Sequence, residues 1–558
     1  MNLFSRLHIA FAIGLLVSAF GTGEAKADSL IENVNGMTMT NQGAVRRFNA
    51  MLIDDEGRVK QLLNQRDKRP KTIDFRFDGE GKTLIPGFVD AHGHVMGMGF
   101  GALTLDLSNS QSLEEALAAI RAYAEKYPNR QWILGGGWNQ EKWGLNRFPT
   151  AAELDSVVPD RPVWLERVDG HAGWANSAAM KIAGFTAKTK APAGGAIVKV
   201  QGKPIGVFID KASDIIASAI PQPRPVERDL ALAKAQEILL ANGVTTIADM
   251  GTTMQDWQSF RRAGDNDQLK IRIISYAAGI DNMIAIGGPE PSPWLYQDRL
   301  KLAGVKLYLD GALGSRGAWL KEPYADKPDT DGLNLLTLAQ LKNKMSRAAM
   351  DGFQIAIHAI GDRANEEVLS AIEEMQVTFS GDRRWRIEHA QILDPIDIAR
   401  LAKTGAIASM QPVHQTSDRL MAERRLGSSR LKGTYAWKSI LDSGGKLAFG
   451  TDVPVESPNP FAGFAAAITR EDASGEPFGG WFPEERLSRA QAWKAYSIDA
   501  SYAAFAEDRI GSLEPGKRAD FLIIEGDLML DIPTAIRNQK ILQTWVGGRP
   551  VYVESKLP

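Results

Sequence analysis

The 558-residue chain contains no cysteine. Disulfide scaffolds, cysteine-ligated zinc, iron–sulfur clusters and thiol nucleophiles are therefore excluded. Neither sign of charge is in excess: 65 Lys and Arg stand against 67 Asp and Glu, a net charge of −2. A broadly basic surface is ruled out, and general nucleic-acid binding with it. Fixed-period repeats and low-complexity tracts are missing too. After the N-terminal segment, no stretch is apolar enough for a transmembrane helix. What remains is ordinary for a globular enzyme: 44% hydrophobic and 24% charged residues, enough to build a core. The length suits two domains, or one large domain with insertions.

The N-terminus carries an address. Arg6 precedes the apolar run Leu7 to Phe20, and Ala25-Lys26-Ala27 fits a small-residue cleavage site. The run is short for a bilayer span. Residues 1–27 are expected to be a signal peptide cleaved before Asp28, which sends the chain to the periplasm or the exterior. The competing reading is an uncleaved anchor or a buried helix.

Eight short β-like runs follow one another along the chain. They are Ile85 to His92, Gly243 to Asp249, Ile271 to Tyr276, Gly304 to Leu309, Phe353 to His358, Arg384 to His389, Gly405 to Met410 and Lys446 to Asp452. Helix-period segments lie between most of them, for example 226–241, 338–349, 364–375 and 395–403. Strands alternating with helices argue for parallel βαβ units, and eight such units make an α/β (β/α)8 TIM barrel. The long gap at about residues 100–235 reads as a large insertion after the first strand. The two ends, 28–85 and 508–558, hold short strands and turns, and are expected to combine into one small β-sandwich outside the 86–507 barrel.

Histidine is scarce, with seven in all. His8 lies in the expected signal. His92 and His94 stand two apart, so on a strand both rings face the same side. His358, His389 and Asp452 end the fifth, sixth and eighth runs, and strand C-termini line the catalytic face of a parallel barrel. Four imidazoles and a carboxylate thus converge on a site suited to zinc or a similar divalent ion. Unrelated histidines explain a lone His-x-His well but explain the whole set poorly. Lys306 lies in an apolar strand, where a lysine needs a partner or a modification such as a carbamate. An ion pair with a nearby carboxylate is the plain alternative. His171 in the insertion, Arg316 beyond the fourth strand and His414 beyond the seventh are candidates for substrate contact. Structural hydrogen bonds or surface charge would explain them equally well. Trp132, Trp138, Trp143, Trp164 and Trp174 are read chiefly as the insertion's own core, against a substrate-facing aromatic lid.

Several motifs carry a family likeness. Pro86-Gly-Phe-Val-Asp-Ala-His-Gly-His94 resembles the first-strand signature of the metal-dependent amidohydrolase superfamily. In the same order come Asp169-Gly-His-Ala-Gly-Trp-Ala-Asn-Ser177, Lys306-Leu-Tyr-Leu-Asp-Gly311, Ile357-His-Ala-Ile-Gly-Asp-Arg-Ala364, Arg386-Ile-Glu-His-Ala-Gln391, Met410-Gln-Pro-Val-His-Gln-Thr-Ser-Asp418 and Gly450-Thr-Asp-Val-Pro-Val455. The tail from Gly511 to Phe521 looks like the return into the superfamily's small β-domain. Together they resemble the YtcJ-like branch, which includes N-substituted formamide deformylase. The resemblance implies one or two divalent metals, zinc before manganese or iron. It implies that His92, His94 and Asp452 hold the more buried ion, that His358 and His389 hold the second, and that a carbamylated Lys306 bridges them. Asp452 would serve as general acid and base.

The expected activity is hydrolysis of a non-peptide C–N bond in a small-molecule substrate. An ester, lactone or carbamate at the same site is the second enzymatic reading. A non-enzymatic periplasmic binding or regulatory protein on this scaffold predicts a lost ligand position, and none is lost. Cytidine-type deamination would need cysteine ligands. No nucleic-acid partner and no stable membrane insertion after cleavage are expected. A homodimer is left open.

Overall fold

A computed structural model describes residues 28–40 and 42–554. The expected signal peptide, residues 1–27, lies outside the described residues. None of the described helices is long and apolar enough to cross a membrane.

Eight strands form one sheet in sequential order, every adjacent pair parallel. They are β1 (Phe88–Gly93), β2 (Val244–Thr252), β3 (Arg272–Ala278), β4 (Leu300–Tyr308), β5 (Gln354–Ala359), β6 (Arg386–His389), β7 (Ile407–Met410) and β8 (Lys446–Phe449). These strands read as apolar runs because both faces are covered, by the barrel interior on one side and by helices on the other. Strands β1 and β8 close the ring just past their C-terminal ends. Asp452 N donates to His92 O at 2.7 Å, and His94 N donates to Val453 O at 2.8 Å. The Asp90 carboxylate reinforces this seam by accepting from Thr451 N at 2.9 Å and Thr451 Oγ1 at 2.5 Å.

The first β-like run of the sequence is two strands, not one. Thr83–Pro86 pairs with Phe521–Ile524, outside the barrel, and Phe88–Gly93 opens the barrel. The break falls at Gly87, where an added Cβ would come within 2.3 Å of Thr245. Pro86 itself has no N–H to offer a ladder.

Residues from both chain ends build two more sheets. One joins Val59–Leu63, Ala50–Ile53, Ser29–Glu32 and Phe75–Asp78, and the other joins Arg549–Val553, Ile541–Val546, Phe521–Ile524, Thr83–Pro86, Asn35–Met39 and Val45–Phe48. They share a core of Ile31, Met51, Val59, Leu84, Phe521 and Trp545, with Trp545 stacked on Phe521 at 5.1 Å. Arg272, at the start of β3, is tied to Asp520 by bonds of 2.6 and 2.8 Å.

Between β1 and β2 lies a six-stranded mixed sheet whose strands run from Leu105–Asp106 to Lys203–Asp210. Its own core holds Trp138 and Trp174, both fully buried, with Trp143 packed against them. Trp132 and Trp164 fill a second cluster on the other face. The tryptophans therefore pack the insertion. The helix Pro225–Ala241 belongs to the barrel and not to the insertion, since it packs against Val95–Leu103 and the start of β2. Pro225 at its first turn and Glu227, which accepts from Arg224 N at 2.7 Å, set where it begins.

Candidate active site

The rim at the C-terminal ends of the strands gathers six histidines. His92, next to last in β1, is fully buried, and its ring lies 4.7 Å from that of His389. His389 lies 4.6 Å from His358, and His358 lies 5.0 Å from His171. His94 and His414 flank the row, 5.4 Å from His92 and 5.9 Å from His389. Asp452 sits among them. Its Oδ1 is 3.1 Å from His94 Nε2 and 3.5 Å from His92 Nε2, and its Oδ2 is 3.5 Å from His414 Nε2 and 3.8 Å from His389 Nδ1. Asp452 and His389 both carry left-handed backbone, with φ of 58° and 75°. Such strain costs about 1–3 kcal/mol per residue and persists where the surroundings over-determine it.

Five of the six imidazoles have an orienting partner outside the cluster. His92 Nδ1 lies 2.6 Å from Glu388 Oε2, and His389 Nδ1 lies 2.9 Å from Gln411 Oε1. A ring that gives its Nδ1 proton to such an acceptor keeps its Nε2 lone pair for the cavity. Gln391 Nε2 donates to His414 Nδ1 at 2.9 Å, so the proton of that ring, when neutral, sits on Nε2 facing Asp452. His358 Nε2 lies 3.5 Å from Asp310 Oδ1, and Asp310 is anchored by Ile360 N, Gly361 N and Trp319 N at 2.8–3.0 Å.

Burial drives His92 down to about 4, with Lys306 adding to the effect, and it holds His358 and His389 well below the usual imidazole range. These rings are neutral at pH 7, as metal ligands must be. Burial works against the charge of Asp452, yet the surrounding histidines keep its carboxyl well below the ordinary range. Burial also lowers Lys306 to about 8 and raises Asp310 to about 7. Lys306 Nζ lies 3.3 Å from His92 Nε2 and 4.8 Å from the centre of the Tyr308 ring, and among the described residues no carboxylate is in ion-pair contact with it.

Two imidazoles and one carboxylate come closest together. The ligand atoms of His92, His389 and Asp452 lie within 4.8 Å of one another, and buried Asp452 Oδ1 faces the cluster with only the imidazoles of His94 and His92, at 3.1 and 3.5 Å, beside it. A buried acceptor facing imidazole lone pairs calls for a cation, and this donor set fits zinc or a similar divalent ion. The trio takes one histidine from each of the two ligand groups that the resemblance implies.

His171 reaches the same rim from the insertion. Its Nδ1 lies 2.6 Å from Asp210 Oδ1. Burial opposes a charge on this ring, yet Asp210 pushes it up to about 9. The loop after β4 makes room for these groups. A Cβ on Gly311 or Gly317 would meet Asp210 Oδ2 at 2.6 or 3.0 Å, and one on Gly314 would meet the Arg167 guanidinium at 2.7 Å. Arg316, in that loop, is turned to Asp326 with bonds of 2.9 and 3.2 Å, so its guanidinium is committed to a structural pair. The fully buried Arg425 clamps the same region. It bonds Glu141 of the insertion at 2.5 Å, Gly314 O at 3.1 Å, and Asp326.

Glu388, Arg386, Asp310, Asp210, Gln411 and Gln391 were not singled out from sequence. Arg386 and Glu388 did leave a trace: two opposite charges, two residues apart, inside an apolar strand.

Fold and rim together define a (β/α)8 barrel enzyme with a candidate metal site. The amidohydrolase family model matches residues 77–552, and the chain belongs to that family; it is a hydrolase acting on carbon–nitrogen bonds other than peptide bonds. It is 35% identical to Protein LONG AFTER FAR-RED 3 of Arabidopsis thaliana over 85% of this chain and 83% of that one. It is 31% identical to Putative amidohydrolase YtcJ of Bacillus subtilis over 93% and 98%, and 28% identical to N-substituted formamide deformylase of Arthrobacter pascens over 84% and 88%. Among solved structures, an uncharacterized metal-dependent hydrolase from Pyrococcus horikoshii superposes with a TM-score of 0.73 at 25% identity, over 91% of this chain and 99% of that one.

Proposed function

We propose that the protein is an exported, metal-dependent amidohydrolase that cleaves an amide or N-acyl amine. The convergence of His92, His389 and Asp452 within 4.8 Å, with a buried Asp452 carboxylate surrounded by imidazoles, carries this reading. The relative named as an N-substituted formamide deformylase makes N-substituted formamides the first substrates to try.

In this reading His92, His94, His389 and Asp452 hold a divalent ion, zinc before manganese or iron. His358 and Lys306, carbamylated or as the free amine, stand ready for a second. When bound, such an ion would supply Lewis acidity and lower the pKa of water to about 7. Asp452 takes the proton from the attacking water as its oxygen adds to the carbonyl carbon. It then returns the proton to the nitrogen as the C–N bond breaks, leaving an acid and an amine. His171, braced by Asp210, and His414, with Nε2 turned toward Asp452, face the substrate and polarise its carbonyl. Arg316 has no part in this reading, because Asp326 occupies it.

The test is metal analysis of purified protein together with a panel of formamides, larger amides, esters, lactones and carbamates. Amide turnover that is lost to a chelator and restored by metal supports the proposal. Metal-free protein with no activity after adding zinc or manganese rejects it. Rescue of Lys306→Ala by short carboxylic acids would support a carbamate. Export is checked by fractionation and N-terminal sequencing, with Asp28 expected first.

A further inference from the structure

The interior of a (β/α)8 barrel is ordinarily filled by layers of branched apolar side chains. Beneath His92 this barrel instead holds an ion pair. Arg386 and Glu388 are both fully buried, and Arg386 Nε donates to Glu388 Oε1 at 2.7 Å while a second guanidinium nitrogen donates to Glu388 Oε2 at 3.1 Å. The same guanidinium is pinned by Ala91 O at 2.6 Å, Ser409 Oγ at 2.9 Å and Tyr276 Oη at 3.2 Å, and Tyr276 in turn donates to Gln354 Oε1 at 2.6 Å. Five strands, β1, β3, β5, β6 and β7, therefore hold one carboxylate still. Its Oε2 lies 2.6 Å from His92 Nδ1.

Stability alone gives no reason for this arrangement. Two charges taken out of water cost several kcal/mol each, and well-packed apolar residues of similar volume often replace such a pair without loss. The pair does have one outlet into the active site, the bond to His92. A carboxylate on Nδ1 leaves Nε2 as the lone pair, and Nε2 is the atom that faces Asp452.

We infer that Glu388, gripped by Arg386, is a positioning residue that fixes which ring nitrogen His92 presents to the metal. The two-pronged grip also keeps Glu388 from turning inward and becoming a ligand itself. The inference rests on the reading of His92 as a metal ligand.

Cobalt(II) titration of the metal-free full-length enzyme tests it, because affinity and visible spectrum report the ligand set without turnover. Arg386→Met/Glu388→Leu removes both charges at nearly constant volume. It should fold, as judged by circular dichroism and thermal unfolding, yet bind cobalt about 10–100-fold more weakly with an altered spectrum. Glu388→Gln keeps an oxygen that can accept from Nδ1 but loses the charge, and should weaken binding by less, about 3–10-fold. Glu388→Gln also serves as the test if the double variant fails to fold. Cobalt binding as tight as wild type in either folded variant, with an unchanged spectrum, would overturn the inference. Wild-type protein that takes up no cobalt would instead sink the metal-site reading beneath it.

Discussion

The barrel and the insertion bring side chains to one rim by different means. On the barrel, His92, His358, His389 and Asp452 stand at or just past strand ends, nearly fully buried, each held by backbone ladders and an orienting partner such as Glu388 or Gln411. On the insertion, His171 and Asp210 arrive on a separately folded sheet with its own core. Arg425, bonded to Glu141, Gly314 O and Asp326, and the glycine-lined loop after β4 dock that sheet on the rim. Groups on strands can be held to the tolerance chemistry needs, whereas a docked module can change its substrate contacts without disturbing them.

If this division is real, damage to the barrel set should abolish chemistry, while damage to the docking should spare metal binding. Asp452→Asn should lower turnover by at least about 100-fold, the low end for a general base, while the histidines keep much of the metal in place. Steady-state kinetics beside metal analysis would show it, and near-normal turnover would remove Asp452 from the mechanism. Arg425→Met strands Glu141 and Asp326 without their buried partner. Arg316 still pairs with Asp326 and Arg424 with Glu141, so the loss is about 1–3 kcal/mol, and thermal stability and kcat/KM should both fall with metal affinity unchanged. A matching loss of metal would show that the two regions are not independent.

Gly314→Ala probes the docking contact more gently. Its new Cβ would crowd the Arg167 guanidinium, and overpacking of this kind costs about 1–3 kcal/mol. KM should rise more than kcat falls, and the opposite pattern would place this loop in the chemistry. The smallest effect is expected from pH. His171 is raised from 6.5 to about 9, so the stability of its charged pair with Asp210 is fully present below about pH 6.5 and is lost as pH climbs through 9. The stability gap between wild type and Asp210→Asn, on the order of 1–3 kcal/mol in urea unfolding at pH 6, should close by about pH 10. A gap of constant size would mean that the pair is not charged.

Much of the barrel was legible because its strands alternate with helices and are buried on both faces, so their period and composition survive in the linear order. The candidate ligands were legible for the same reason: His92, His358, His389 and Asp452 terminate apolar runs. The division of Ile85–His92 at Gly87 was not legible, since it depends on Thr245 approaching from β2. The end of the insertion, placed at about residue 235, falls inside the helix Pro225–Ala241, because a helix start read from period alone blurs the boundary between the two regions. Arg316 shows the same limit, because a free arginine and one paired with Asp326 read identically in sequence.

The linear order by itself determined the alternation of strands and helices along the barrel and the residue types able to hold a cation, because periodicity and side-chain chemistry are local properties. Folding decided which of those groups share a point in space: the trio of His92, His389 and Asp452, the carboxylate behind His92, and the clamp on the insertion. Each of these joins residues dozens to hundreds of positions apart, and only the closing of the ring at the β1–β8 seam brings the trio together.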